Sequence, residues 1–119
     1  MYMKKIAILT CLKSNDVCTR IGCLDAMTHR IGTFAIYKQD NIELVALLTC
    51  HGCKRIKFRK KEGMQEKLSA IAAAEITAVH IGRCCWQRKN GISQKCRYIK
   101  RTEKWLLKHH IHVIWGTHT

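Results

Sequence analysis

A chain of 119 residues, 47% of them apolar, is long enough for one domain with its own core and too short for two comfortable ones. Its 22 lysines and arginines against 8 aspartates and glutamates give a formal charge of +14, and it has 8 cysteines and no proline. That composition excludes a disordered chain, and no apolar run approaches the roughly 20 residues needed to cross a bilayer. Residues 1–119 are therefore expected to form a single domain that does not enter a membrane.

Lys4-Lys5 followed by Ile6-Ala7-Ile8-Leu9-Thr10-Cys11-Leu12 imitates a secretory leader, but the apolar stretch is short and no small-residue cleavage site follows. A buried first strand over Met3–Thr10, ending at Cys11, explains it better. Ser14-Asn15-Asp16 is a helix-start signal, because these side chains accept hydrogen bonds from first-turn amides. Val17, Ile21, Leu24 and Thr28 then recur at helical spacing, with Gly32 as terminator. The segment Thr33–Tyr37 has no clear period, and Gln39-Asp40-Asn41 reads as a turn.

The second strand, Ile42–Leu48, delivers Cys50 and Cys53 to the turn after it. From about Arg59 to Ala74, the residues Met64, Leu68, Ile71 and Ala72 make an apolar helix stripe. A third strand, Ile76–Ile81, runs into Gly82-Arg83-Cys84-Cys85. After a polar loop with Asn90-Gly91, Ser93 is placed to cap a third helix carrying Cys96, Ile99, Glu103, Leu106 and Leu107. The last strand, Ile111–Trp115, stops at Gly116-Thr117-His118. Strands and helices alternate, with connections of about 25 to 30 residues, which suits right-handed parallel crossovers. The expected fold is a single compact doubly wound α/β domain, about four parallel strands with helices on both faces.

In such a sheet all strand carboxyl ends share one edge, where ligands bind. Cys11, Cys50, Cys84 and His118 each follow a predicted strand, and Cys18, Cys53 and Cys96 fall just beyond. In a reducing cytoplasm, the expected compartment, clustered cysteines point to metal or redox chemistry rather than to structural disulfides. Cys11, Cys50, Cys53 and Cys84 are the first candidates for metal ligands, followed by Cys18, Cys23, Cys96 and His118. Zinc requires only four such donors, and a surplus also suits an iron–sulfur cluster. Vicinal Cys84 and Cys85 diverge on an extended chain, so only Cys84 is expected to face the site.

Other readings share these residues. Cys50 and Cys53 form a CxxC pair able to serve thiol–disulfide exchange, although a chain without proline lacks the cis-proline loop that thioredoxin-like folds set against it. Cys53 and Arg59 have the Cys-x5-Arg spacing of phosphatase loops, but no glycine between them frees backbone amides to cradle an anion. Lys54, Arg55, Lys57, Arg59, Lys60 and Lys61 form a basic patch for an anionic partner or nucleic acid, or else a solvated helix face. No carboxylate accompanies the cysteines as an obvious general base, so whether the chain is an enzyme stays open.

Cys11, then Cys18 and Gly22-Cys23, the central Cys50-His51-Gly52-Cys53, Cys84, Cys96 and the closing Gly116-Thr117-His118 together resemble the CGGC domain family. The resemblance spans nearly the whole chain and implies a small prokaryotic domain with a metal site, zinc foremost, made by its cysteines and histidine. Two departures stand out: His51-Gly52 replaces the name-giving glycine pair, and Lys54-Arg55 replaces the small residues expected after the second cysteine.

Overall fold

The computed structural model describes residues 3–11, 17–50 and 63–117, with backbone alone at 87–89. The Ser14–Asp16 start signal and the stretch from Arg59 that was expected to open the second helix lie outside these residues. Four strands, β1 (Lys4–Cys11), β2 (Ile42–Cys50), β3 (Ala78–Ile81) and β6 (His112–Trp115), form a parallel sheet in the order β2-β1-β3-β6. The chain leaves β1 toward β2 and then crosses back to β3, so the strand order reverses between β1 and β3. In open parallel sheets that reversal opens a crevice at the carboxyl ends.

The alternation of β1 explains why both faces are covered. Ala7 and Leu9 point to one face, where with Val79 and Ile81 they meet Leu68 and Ile71 of α2 (Gly63–Ala73) and Ile99 and Leu106 of α3 (Arg97–Lys108). Ile6 and Ile8 point to the other, against Cys23 and Ala26 of α1 (Ile21–His29) and Phe34 and Tyr37 of a 3-10 helix, Gly32–Tyr37. Residues from Ile6 to Leu9 are wholly buried, as expected of a strand covered on both sides.

β2 is less deeply set. It lies at the sheet's edge, with Val45 and Leu47 exposed at 38% and 47%. It pairs with β1 from Lys4↔Ile42 through Ile6↔Leu44, then resumes at Ala7↔Ala46, so Val45 is an extra residue in the ladder.

Two segments have more structure than the sequence pattern suggested. The stretch without a clear period is the 3-10 helix Gly32–Tyr37. Helix α1 ends before it in a 6→1 and 5→2 bonded turn: the Ile31 amide donates to the Ala26 carbonyl and the Arg30 amide to that of Met27, with Arg30 at φ 54. The polar loop around Asn90-Gly91 is an antiparallel hairpin of β4 (Trp86–Lys89) and β5 (Ile92–Lys95), turning through positive φ of 54 at Asn90 and 76 at Gly91. Ser93 lies inside β5, and Cys96 takes the cap position of α3.

Candidate functional site

Each strand of the sheet places its last residues on the same edge. Cys11 and Cys50 are register partners at the ends of β1 and β2, and paired residues of parallel strands project to the same face, here that of α2 and α3. After β3, the Gly82 amide donates to the Leu9 carbonyl at 2.9 Å, which holds the turn Arg83–Cys85 against the end of β1. The result is a direct bridge across the strand-order reversal: the Cys11 amide donates to the Cys84 sulfur at 3.2 Å.

Cys84 and Cys85 part company at this turn. Cys84 is half-buried at the edge, whereas Cys85 is 1% exposed, with its sulfur 3.8 Å from the Leu9 carbonyl. The Cys85 thiol is pushed far up, first by its hydrogen bond to Cys84, then by burial, then by the charges of Cys84, Cys11 and Cys50. It therefore remains a protonated donor beneath the others. The Cys84 sulfur accepts from the Cys11 amide, whereas the Cys85 thiol donates to the Leu9 carbonyl. Lys67 of α2 donates to the Thr49 carbonyl. Burial lowers its ammonium pKa, and the opposing pull of Cys50 places a positive charge beside the end of β2.

The remaining described cysteines are distributed differently. Cys23 lies on the α1 face, where its sulfur is 3.1 Å from the Thr117 hydroxyl. Burial raises its thiol pKa against the lowering effect of that bond, and Cys84 contributes a smaller upward push. Cys18 is exposed before α1, and its sulfur accepts the Arg20 amide at 3.4 Å. Cys96 is buried under the hairpin, with its amide donating to the Cys85 carbonyl at 3.1 Å. Cys53, His51, His118 and the basic run Lys54–Lys61 lie outside the described residues. Among the described residues, no group of three or more histidine, cysteine, aspartate or glutamate side chains is gathered as a metal cage. The soft donors are Cys11, Cys50 and Cys84, brought to one edge on neighbouring elements.

A family model for the CGGC domain matches residues 5–118. The chain belongs to the CGGC domain family. An uncharacterized protein of Methanocaldococcus jannaschii is 31% identical over 125 residues, an alignment that takes in 97% of this chain and 87% of that protein. No solved structure gives a significant match. No helix among the described residues of this CGGC domain is long and apolar enough to cross a membrane.

Sequence reasoning missed the residues that hold the end of β6. His80 is fully buried in β3, its ring stacked on Phe34 at 4.1 Å. Thr33 gives its hydroxyl proton to the Gly116 carbonyl at 2.7 Å, so it receives the His80 Nδ1 proton at 2.9 Å, while the Tyr37 hydroxyl donates to Nε2 at 2.8 Å. Burial lowers His80 to about 4, against the smaller raising effect of the Gly116 carbonyl, and burial raises Tyr37 to about 12. The ring is neutral. The Thr33 amide also donates to the Thr117 carbonyl at 3.0 Å, and Thr117 reaches Cys23. A histidine inside the apolar run Ala78-Val79-His80-Ile81 was the available signal, since a buried polar group needs partners from elsewhere.

Proposed function

We propose that this CGGC domain binds a metal ion through thiolates at the carboxyl edge of its sheet, with Cys11, Cys50, Cys53 and Cys84 as the primary ligands. The observation that carries this reading is the pairing of Cys11 with Cys50 on adjacent strands while the Cys11 amide supports the Cys84 sulfur. Three soft donors share one edge, and Cys53 lies three residues after Cys50 in the spacing that puts two sulfurs on one metal. His118 follows Thr117, whose carbonyl and hydroxyl are held by Thr33 and Cys23, and it is a further donor from β6. Zinc is the favoured metal, because a closed set of thiolates with one imidazole is typical zinc chemistry; a surplus of cysteines keeps an iron–sulfur cluster as the second form. The metal supplies a structural or sensing charge centre, and the role is metal sensing or handling, or electron transfer with iron.

Anaerobic purification followed by metal analysis and a visible spectrum tests this. About one equivalent of colourless zinc, or an iron–sulfur chromophore, is expected. Folded protein that carries no metal and takes up none on titration, yet forms a reversible Cys50–Cys53 disulfide, would overturn the metal reading in favour of thiol–disulfide exchange.

A further inference from the structure

The hairpin and α3 present a face that the metal reading does not use. Between Arg83 and Lys108 the sequence has nine basic residues (Arg83, Arg88, Lys89, Lys95, Arg97, Lys100, Arg101, Lys104 and Lys108) against one acidic residue, Glu103. Glu103 is already engaged, accepting the Trp115 indole N–H at 2.9 Å.

Four of these cations, Arg83, Lys95, Arg97 and Arg101, stand against half-buried aromatic rings. Trp86 and Trp115 meet edge to face at 5.9 Å, Arg83 sits over Trp86 at 4.9 Å, and Lys95 covers both indoles, at 5.8 Å and 4.8 Å. On the first turns of α3, Arg97 and Arg101 flank the Tyr98 ring at 5.3 Å and 5.7 Å. Cation–π contacts occur about once per 70–80 residues in ordinary structures; five of the six recorded among the described residues belong to this segment. β5 is exposed along its whole length, with Ile92 at 61%.

We propose that this face binds single-stranded nucleic acid, with Trp86 and Trp115 as stacking platforms and Arg83, Lys95, Arg97 and Arg101 as phosphate contacts. A duplex hides its base faces, whereas an unpaired strand offers them beside a regular row of phosphates. A base arriving on an indole displaces the Lys95 ammonium from the ring, and the ammonium moves to the adjoining phosphate. The cation then exchanges one electrostatic partner for another, and the incoming base brings stacking in addition. The charge excess fits the polyanion, and the rings distinguish a nucleic acid from an acidic peptide, which has no planar group to stack.

Fluorescence anisotropy of a labelled twelve-residue oligothymidylate, measured with the full chain at low and moderate salt, tests the proposal. The parent protein is expected to bind, with affinity falling steeply as salt rises. Trp86→Ala is expected to weaken oligothymidylate binding at least about tenfold while leaving binding of inorganic polyphosphate within twofold. Lys95→Glu, on the exposed hairpin, provides a second variant that does not depend on Trp86→Ala folding, and it is expected to weaken both ligands. Parent-like oligothymidylate binding by Trp86→Ala and Lys95→Glu, each folded by circular dichroism, would overturn the proposal. So would equal affinity for polyglutamate, which would identify the face as a dock for acidic protein.

Discussion

The two faces of the sheet bury polar groups in contrasting ways. On the α1 face, both ring nitrogens of His80 are matched, by Tyr37 on one side and by Thr33 with Gly116 on the other, and the ring stacks on Phe34 and meets Tyr37 edge-on. On the α2 and α3 face, Cys11 and Cys50 pair at the ends of β1 and β2, the Cys11 amide donates to the Cys84 sulfur, and the Cys85 thiol donates to the Leu9 carbonyl. The first cluster is made of hard donors and acceptors that complete one another, so it fixes structure. The second is made of soft, polarisable atoms, two of which, in Cys11 and Cys84, are half-buried at the sheet edge. Buried polarity alone therefore does not mark a functional site; the chemistry of the atoms and their access do.

That contrast can be broken most directly at His80. Replacement by alanine removes a wholly buried ring and leaves the Tyr37 and Thr33 hydroxyls without their partner, so a loss of about 4 kcal/mol is expected in urea unfolding. A loss under about 1 kcal/mol would show that the network is ornamental. Acid probes the same ring without mutation. Because burial holds His80 at about 4 when folded and an exposed histidine titrates at 6.5, the unfolded chain binds the extra proton between those values. Stability from this group is complete above pH 6.5 and is lost as pH falls toward 4, by about 3 kcal/mol. Denaturation midpoints measured from pH 7 to 4 should fall, and His80→Gln should flatten the decline.

At the thiol edge the expected effects are on ligand affinity. Cys84→Ser and Cys50→Ser should each weaken zinc binding about a hundredfold, equivalent to ~2.7 kcal/mol, in competition with a chromophoric chelator. Cys18→Ser, at an exposed position, should change it less than about twofold, because a ligand role there has no support from the geometry. Equal losses in all three variants would erase the distinction between edge sulfurs and outlying ones. The smallest effect is expected at Gly82, whose φ of −65 any residue adopts. A Cβ there would stand 3.5 Å from both the Cys84 sulfur and the Leu9 carbonyl, which is ordinary contact. Gly82→Ala should alter stability by less than about 1 kcal/mol, and a larger loss would show that the Cys84 turn tolerates no crowding.

Much of the architecture was legible because its signals are local. An apolar run bounded by turn residues produced β1, and the stripe Met64–Leu68–Ile71 produced α2. The hairpin was missed despite Asn90-Gly91, since β5 is exposed and neither Trp86–Lys89 nor Ile92–Lys95 carries an apolar alternation to mark it. The strand ends were legible, as their positions follow from the alternation of elements: Cys11 and Cys50 are register partners, and the Cys11 amide reaches the Cys84 sulfur. The allocation of Cys23 to the opposite face was not, because it depends on which side α1 crosses the sheet. The Tyr37–His80–Thr33 network joins residues up to 47 positions apart, and no periodicity records such a partnership.

The extra residue at Val45 sets the phase of the cysteines. Before it, β1 and β2 are offset by 38 positions, as in Ile6↔Leu44; after it, they are offset by 39, as in Cys11↔Cys50. Had the first offset continued, Cys11 would stand beside Thr49, and Cys50 would be turned half a pleat away, toward the α1 face. A chain lacking Val45 would run at one offset throughout and still set Cys11 beside the cysteine that opens Cys50-His51-Gly52-Cys53. What decides whether the motif has neighbours is that the ladder absorbs Val45 as a bulge five places upstream, rather than carrying its surplus forward to the strand end.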